Sequence, residues 1–309
     1  MRLRAGVVCT VVIALLASAG APAASGEGSV TIVDAGGRTV SITDTSRIVS
    51  IGGDITEILY ALGMADRIVA VDTTSTFPAE AMKEKSSVGY MRALSSEGVL
   101  STAPSLILAS ERAGPPEVVQ TLKSASVTYL EIPEHYTPAG VADKIRLVGK
   151  ALGAERRAEE TAHKLETKFE ALAKDRAAIK RRVHALFLLS VQNGRVVAGG
   201  RETSADAILQ LAGAENVASG VHGFRPLTDE SIVELAPEAI VAMRRAGPQA
   251  EHGMERVFDI KAVASTPAGA AKKLIVLDGQ YLLGFGPRAP AAARDLMNSL
   301  YPQLAKPPQ

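Results

Sequence analysis

The sequence predicts an α/β protein made of two similar lobes joined by a single long helix. Three observations lead to it. First, two stretches on either side of the middle read alike. One is Leu94-Ser95-Ser96-Glu97-Gly98-Val99-Leu100, followed by Pro104-Ser105-Leu106-Ile107-Leu108. The other is Leu227-Thr228-Asp229-Glu230-Ser231-Ile232-Val233, followed by Pro237-Glu238-Ala239-Ile240-Val241. In each, an arginine (Arg92, Arg225) stands two places before the leucine, and a duplicated unit of this kind implies two similar lobes. Second, short β-branched runs alternate with helical patterns in both halves, which implies mainly parallel, helix-covered, Rossmann-like sheets. Third, Pro138 to about Arg182 carries no strand signal and is rich in good helix formers. A cleft between two lobes is a common place for a ligand.

The elements follow in order. Val30–Val33 and Thr39–Ile42 flank Asp34-Ala35-Gly36-Gly37 as a hairpin. Residues 47–51 form a strand, and Asp54 or Thr56 starts a helix over 55–62 that Gly63 closes. Strand Ile68–Val71, helix 96–101, strand 106–109, helix 115–123 and strand Thr128–Ile132 complete the first lobe. Gly153 divides the helical stretch, leaving a longer helix over 155–181 of about 40 Å at about 1.5 Å per residue. The charges of Arg156, Arg157 and Lys180 to Arg182 read as a solvated face. The second lobe opens with a strand over 183–191, a turn at Asn193-Gly194 and a strand over 196–198. A helix capped by Thr203 or Ser204 runs to Leu211. Then come the repeat helix, a strand over 239–243, a helix around 254–264, a strand over 274–277 and a last helix near 290–300. A helical connection permits only small closure, because bending a helix breaks its hydrogen-bond ladder. The cleft is therefore expected near its bound shape.

The 309 residues suit two domains, and 47% hydrophobic with 22% charged residues marks a globular chain. A formal charge of +1, with no basic run interleaved with aromatics, removes any general argument for nucleic-acid binding. Arg2 and Arg4 precede an apolar stretch over 5–17 that is short for a bilayer. Ala17-Ser18-Ala19 and Ala21-Pro22-Ala23 then offer A-x-A cleavage sites. Export with cleavage and a soluble mature chain are expected. Cys9, the single cysteine, lies too early for a lipid attachment site, so no lipid anchor, disulfide or thiolate ligand is expected. The organisation reads as a leader over 1–23, a first lobe over 24–137, a linking helix over 138–182 and a second lobe over 183–309.

The sequence has no G-x-S-x-G elbow, no P-loop and no H-E-x-x-H. Gly284-Phe285-Gly286-Pro287-Arg288-Ala289 matches a dinucleotide pattern superficially. Pro287 removes a backbone donor where phosphate needs one, so it reads as a loop. The strongest candidate is Gly89-Tyr90-Met91-Arg92. Tyr60, Tyr129 and Tyr301 have packing explanations, whereas Tyr90 sits in a polar loop without periodic apolar neighbours. Arg92 is close enough in sequence to hydrogen-bond its oxygen. A phenolate is a hard donor that suits ferric iron. On residue types alone, a surface tyrosine is the simpler reading.

Several segments together resemble the periplasmic haem-binding proteins of bacterial haem ABC importers. They are Val88 through Gly98, Ala109-Ser110-Glu111 with Ala113-Gly114-Pro115-Pro116, Gly199-Gly200 with Thr203 and Asp206-Ala207, and Leu282-Leu283-Gly284-Phe285-Gly286-Pro287-Arg288. The resemblance covers about residues 30 to 300, and the tyrosine loop is its specific part. It implies the class III periplasmic binding protein fold, with haem as the transported ligand. The partner would be an inner-membrane ABC permease, in the service of iron uptake. It further implies Tyr90 as axial iron ligand, Arg92 as the group holding its phenolate, and Arg225 as a pocket arginine of the opposite lobe. His222 becomes a possible second-lobe ligand, with an exposed loop histidine as the even alternative, and His135 and Tyr136 are weaker candidates. Arg112 and Arg288 read more simply as solvated loop residues. Glu97 and Glu230 become a pair of permease-docking carboxylates, one per lobe. A monomer in the periplasm is expected, with no catalytic residue, nucleic-acid partner or stable membrane insertion.

The alternatives are a cobalamin or ferric-siderophore carrier on the same scaffold and, far behind, an exported α/β enzyme using Asp278 with His222. A zinc or manganese carrier needs clustered His and carboxylates. Five histidines without a close pair disfavour it.

Overall fold

The computed structural model describes residues 29–192, 195–244 and 255–304. The expected leader over 1–23, with Cys9, and the expected turn at Asn193-Gly194 lie outside the described residues, as does Met254. The chain starts with the expected hairpin, β1 (Val30–Val33) and β2 (Thr39–Ile42). The first main sheet holds β3 (Ile48–Ile51), β4 (Ile68–Val71), β5 (Ser86–Ser87), β6 (Leu106–Ser110) and β7 (Thr128–Ile132). Its order is β5-β4-β3-β6-β7, and every pairing is parallel. Both faces are covered, so β3 and β6 are buried along their whole length. The lobe's helices are α1 (Gly53–Ala61), α2 (Ala79–Glu84), α3 (Ser96–Leu100) and α4 (Pro116–Ser124).

Helix α1 begins earlier than its capping signals suggest. Its N-cap is Gly52, which makes no side-chain cap. The expected caps are engaged elsewhere. Thr56 Oγ1 lies 2.8 Å from Ser50 Oγ and 2.7 Å from Ser75 Oγ, and Asp54 pairs with Lys144. Gly63, at φ +73°, closes the helix as expected.

Two helices follow, α5 (Pro138–Ala151) and α6 (Glu155–Ala177). Helix α5 packs on α1, β1 and β7 as part of the first lobe, and α6 packs on α5 and then on α7 and α12 of the second. The crossing falls to α6, about 34 Å long for 23 residues. Its buried stripe is Ala158, Ala162, Leu165, Phe169 and Leu172, spaced by four and three. Arg146 ties α5 to α6 through Glu159 (2.8 Å) and Glu166 (2.9 Å). Arg157 is not merely solvated: its Nη1 donates to Leu62 O, 2.9 Å away, at the C-terminus of α1.

The second lobe holds β8 (His184–Gln192), β9 (Arg195–Gly199), β10 (Glu215–Asn216), β11 (Phe224–Pro226), β12 (Ala239–Arg244) and β13 (Leu274–Asp278). Strands β8, β12 and β13 are parallel, while β9 and β11 run antiparallel at the other edge. The helices are α7 (Ser204–Leu211), α8 (Asp229–Leu235), α9 (Lys261–Ala264), α10 (Pro267–Ala270), α11 (Gly279–Leu283) and α12 (Ala289–Leu300). The repeat is visible in space. Helices α3 and α8 are each capped by the hydroxyl just before them, Ser95 Oγ accepting from Gly98 N (3.3 Å) and Thr228 Oγ1 from Ser231 N (3.2 Å). Each leads to an inner strand, β6 or β12. One apolar core runs through both lobes, from Ile48 and Leu106 by way of Val148 and Phe169 to Phe187 and Leu296. Two satellite clusters lie under the other sheet faces.

Candidate functional site

Because the first sheet is parallel, its strands share one C-terminal edge, where open α/β sheets receive ligands. That edge opens on a cavity of about 840 Å³. Gly53 and Asp54 enter it after β3, and Thr73 and Thr74 after β4. Tyr90, Met91 and Arg92 follow β5, Ser110 ends β6 and Arg112 follows it, and Glu134 and Tyr136 follow β7. The second lobe supplies Leu189, Ser204, Phe224, Met243, Arg244, Gln280 and Leu283. A neighbouring cavity of about 590 Å³ shares Arg92, Arg112, Tyr136, Ser204 and Phe224 with the first, and adds Glu111, Glu202 and His222. Both sizes fall in the range that holds a small-molecule ligand, about 300–1,000 Å³.

Tyr90 sits on a turn held by its backbone. Val88 N donates to Val71 O (2.9 Å), extending the pairing of β5 with β4. Gly89, at φ +86°, then turns the chain, a conformation that favours glycine. Thr73 N donates to Gly89 O (2.9 Å), Ala93 N to Tyr90 O (2.8 Å) and Gly114 N to Met91 O (2.8 Å). The side chain is left 46% exposed on the cavity wall, with no hydrogen-bond partner for its hydroxyl among the described residues. Nearby, Met82, Met91 and Met243 make much of the wall apolar. Arg92 and Arg112 line both cavities and form no ion pair with a described carboxylate. Arg112 lies over the Tyr136 ring at 5.2 Å from its centroid. A phenol oxygen, an apolar wall and two unpaired guanidiniums can hold a flat apolar ligand that carries a metal and carboxylates.

The cavity floor carries a buried charge cluster. Lys144 Nζ, fully buried, donates to Asp54 and to Glu134 Oε2 (2.8 Å). Ser110 Oγ donates to the other Glu134 oxygen at 3.0 Å. Burial, and then the charge of Asp54, push Glu134 up to about 8. Burial works against the charge on Lys144, but the two carboxylates outweigh it and raise its pKa. Glu134 is thereby held towards its protonated form near neutral pH. Neither Lys144 nor Glu134 stood out in the sequence. One signal was present: Lys144 falls on the apolar stripe of α5, beside Val141, Ile145 and Val148, all buried.

Of the expected site residues, Tyr90 and Arg92 come together on the wall of the larger cavity, although Arg92 does not hydrogen-bond the Tyr90 oxygen. His222 lines the smaller cavity, with Nε2 at 2.7 Å from Glu202 Oε2. Arg225 is a correction, since it lines neither cavity. It lies in β11, in register with Ala198 of β9. Side chains alternate across a strand. Phe224 takes the cleft side, and Arg225 takes the other. Glu97 and Glu230 are exposed second residues of α3 and α8, at matching places in the repeat. His135 is exposed, whereas Tyr136, ranked with it from sequence, lines both cavities. Arg288 is not solvated but bound to Glu57.

Two lobes around a ligand-sized cleft, with a helix as their connection, have the architecture of a substrate-binding protein. The chain belongs to the periplasmic binding protein family, whose model matches residues 48–281. It is similar to the periplasmic heme-binding protein RhuT from Roseiflexus sp. RS-1, with 35% identity and a TM-score of 0.79 over 85% of this chain and 100% of that one. It is also similar to the periplasmic heme-binding protein BhuT in complex with two hemes, with 35% identity and a TM-score of 0.77 over 84% and 99% of the two chains. In sequence it resembles the uncharacterized ABC transporter substrate-binding lipoprotein YvrC of Bacillus subtilis, 29% identical over 99% of this chain and 100% of the relative. The vitamin B12-binding protein of Pectobacterium atrosepticum is 26% identical over 66% of this chain and 73% of its own. Among the described residues, no helix is long and apolar enough to cross a membrane.

Proposed function

We propose that this protein captures haem in the cleft and delivers it to an inner-membrane ABC permease for iron uptake. The observation that carries this reading is Tyr90, whose hydroxyl has no partner among the described residues, on a backbone-pinned turn at the wall of a largely apolar cavity. In this reading the phenolate of Tyr90 is the axial iron ligand. Arg92 and Arg112 stand where carboxylates of the ligand would reach them. His222 faces the smaller cavity and lies on the opposite lobe. Glu97 and Glu230 dock one lobe each onto the two-fold permease. The chain acts as a monomer, turns nothing over, and divides into a leader, a first lobe on which α5 packs, the linking helix α6 and a second lobe. It is exported to the periplasm and cut after an A-x-A site. An intact mass of the secreted protein lacking residues 1–19 or 1–23 supports that, and a diacylglycerol on Cys9 overturns it.

Titration of the mature protein with haemin, followed by absorbance, is the deciding test. A saturable Soret band with tyrosinate charge-transfer features is expected. Tyr90→Phe should abolish those features and weaken binding by at least about 100-fold, the upper end of what losing a mere supporting partner of a metal ligand costs. The vitamin B12-binding relatives favour cobalamin as the second reading. Saturable cobalamin binding without haemin binding replaces the first reading with the second.

A further inference from the structure

We propose that Arg288 is a positioning residue. Reaching from the second lobe to Phe77, it fixes the segment Thr73 to Met82, and through it the turn that presents Tyr90. Arg288 Nε donates to Glu57 Oε2 at 3.0 Å, and a second guanidinium nitrogen donates to Glu57 Oε1 at 2.5 Å. Glu57 belongs to α1 of the first lobe, and its side chain is only 4% exposed. A planar fork held at both nitrogens has its faces set in direction. One face lies over the ring of Phe77, 3.8 Å from its centroid, and the ring of Tyr281 lies 5.0 Å away. The first-lobe ring is thereby held by a second-lobe cation.

Core packing does not explain Phe77. Its side chain is 44% exposed and belongs to none of the three apolar clusters. The segment it belongs to, Thr73 to Met82, does reach the site. Thr73, Thr74, Thr76 and Met82 line the larger cavity, and Thr73 N donates to Gly89 O, one residue before Tyr90. The arm that brings Arg288 is itself seated in the first lobe. Phe285 is 1% exposed with its ring 5.1 Å from that of Tyr136, and Gly286 runs so close that an added Cβ would lie 3.2 Å from Asp54 Cα. Glu57, Arg288 and Phe77 thus connect α1 and the second-lobe arm to the segment that pins the tyrosine turn. This rests on the proposed function only for the choice of haemin as probe.

Two measurements on the full mature chain decide it. The first is hydrogen–deuterium exchange over residues 72–91 without ligand; the second is the rate of haemin release. Arg288→Met alone leaves a buried carboxylate, so it is paired with Glu57→Gln. That pair, and Phe77→Ala separately, should each raise exchange in 72–91 and speed release about tenfold. All three changes together should be no faster than the pair, because one path is being cut twice. Arg288→Lys keeps the charge but not the flat face, and should behave like the pair over 72–91. Unchanged exchange there overturns the clasp, and raised exchange with unchanged release overturns its link to the site. If the wild type binds no haemin, the proposed function fails, while the exchange arm still decides the clasp.

Discussion

The same repeat stands at the cleft in both lobes, and the four residues ahead of it do different work. In the first lobe, residues 90–93 form a closed turn, with Ala93 N on Tyr90 O at 2.8 Å. In the second lobe, the equivalent residues 223–226 run into β11, extended and paired antiparallel with β9. A turn aims Tyr90, Met91 and Arg92 at one cavity. A strand alternates, so Phe224 enters the cleft and Arg225 leaves it. The neighbouring edge decides which occurs. The first sheet ends in the two-residue β5, which stops and lets the chain turn; the second is extended by the antiparallel β9. Sequence symmetry therefore does not carry over into symmetry of the site. The lobes also differ in the charge they bring to the cleft: the first carries the buried cluster of Asp54, Glu134 and Lys144, while the second brings Arg244 and Asp278 beside Leu189 and Met243.

The largest test of this asymmetry is Lys144→Met. It leaves Asp54 and Glu134 buried without a cation, and unfolding in urea should show a loss of about 3–5 kcal/mol. A loss below about 1 kcal/mol would mean the floor is wetter than its burial indicates. Next comes a paired comparison of the two repeat arginines. Arg92→Ala should weaken haemin binding about tenfold, as expected for one lost charge-assisted contact of about 1.4 kcal/mol. Arg225→Ala should stay within about twofold. Equal losses would restore the symmetric site.

A smaller effect concerns pH. Glu134 is raised from 4.5 to about 8, chiefly by burial. Between those values the folded state keeps a proton that the unfolded chain has released. By linkage, its contribution to stability falls as pH rises through that window and levels off above about 8. Glu57 and Asp72, both raised by burial, act in the same direction. Glu134→Gln should flatten the slope in part, and an unaltered slope of midpoint against pH would sink the assignment. The smallest expected effect is that of Glu97→Ala with Glu230→Ala. Both side chains are exposed at helix starts away from the cavities, so haemin affinity should not change. Transfer to a reconstituted permease should slow. Undiminished transfer would leave them as charges that favour a helix N-terminus.

Much of the fold was readable from local signals. Ser95 and Thr228 cap the repeat helices, Gly63 closes α1, and Thr203 caps α7 with Asp206 N on its Oγ1 at 3.1 Å. Each signal acts within a few residues, so the sequence shows it directly. The misses share a different cause. Lys144 looked like any helix lysine because Asp54 is 90 positions away, and Arg288 looked solvated because Glu57 is 231 away. The cap of α1 was misplaced for the same reason: Thr56 is drawn off by Ser50 and Ser75.

The order of strands and helices, the duplicated helix–strand unit and the glycine-hinged tyrosine loop were set by the sequence alone. They depend on periodicity, capping and turn chemistry, which are properties of neighbouring residues. Which side chains meet across the cleft was decided only in three dimensions. The path of an edge strand, the pairing of charges far apart in the chain and the seating of one lobe's arm in the other depend on where the sheets end. No local pattern records that.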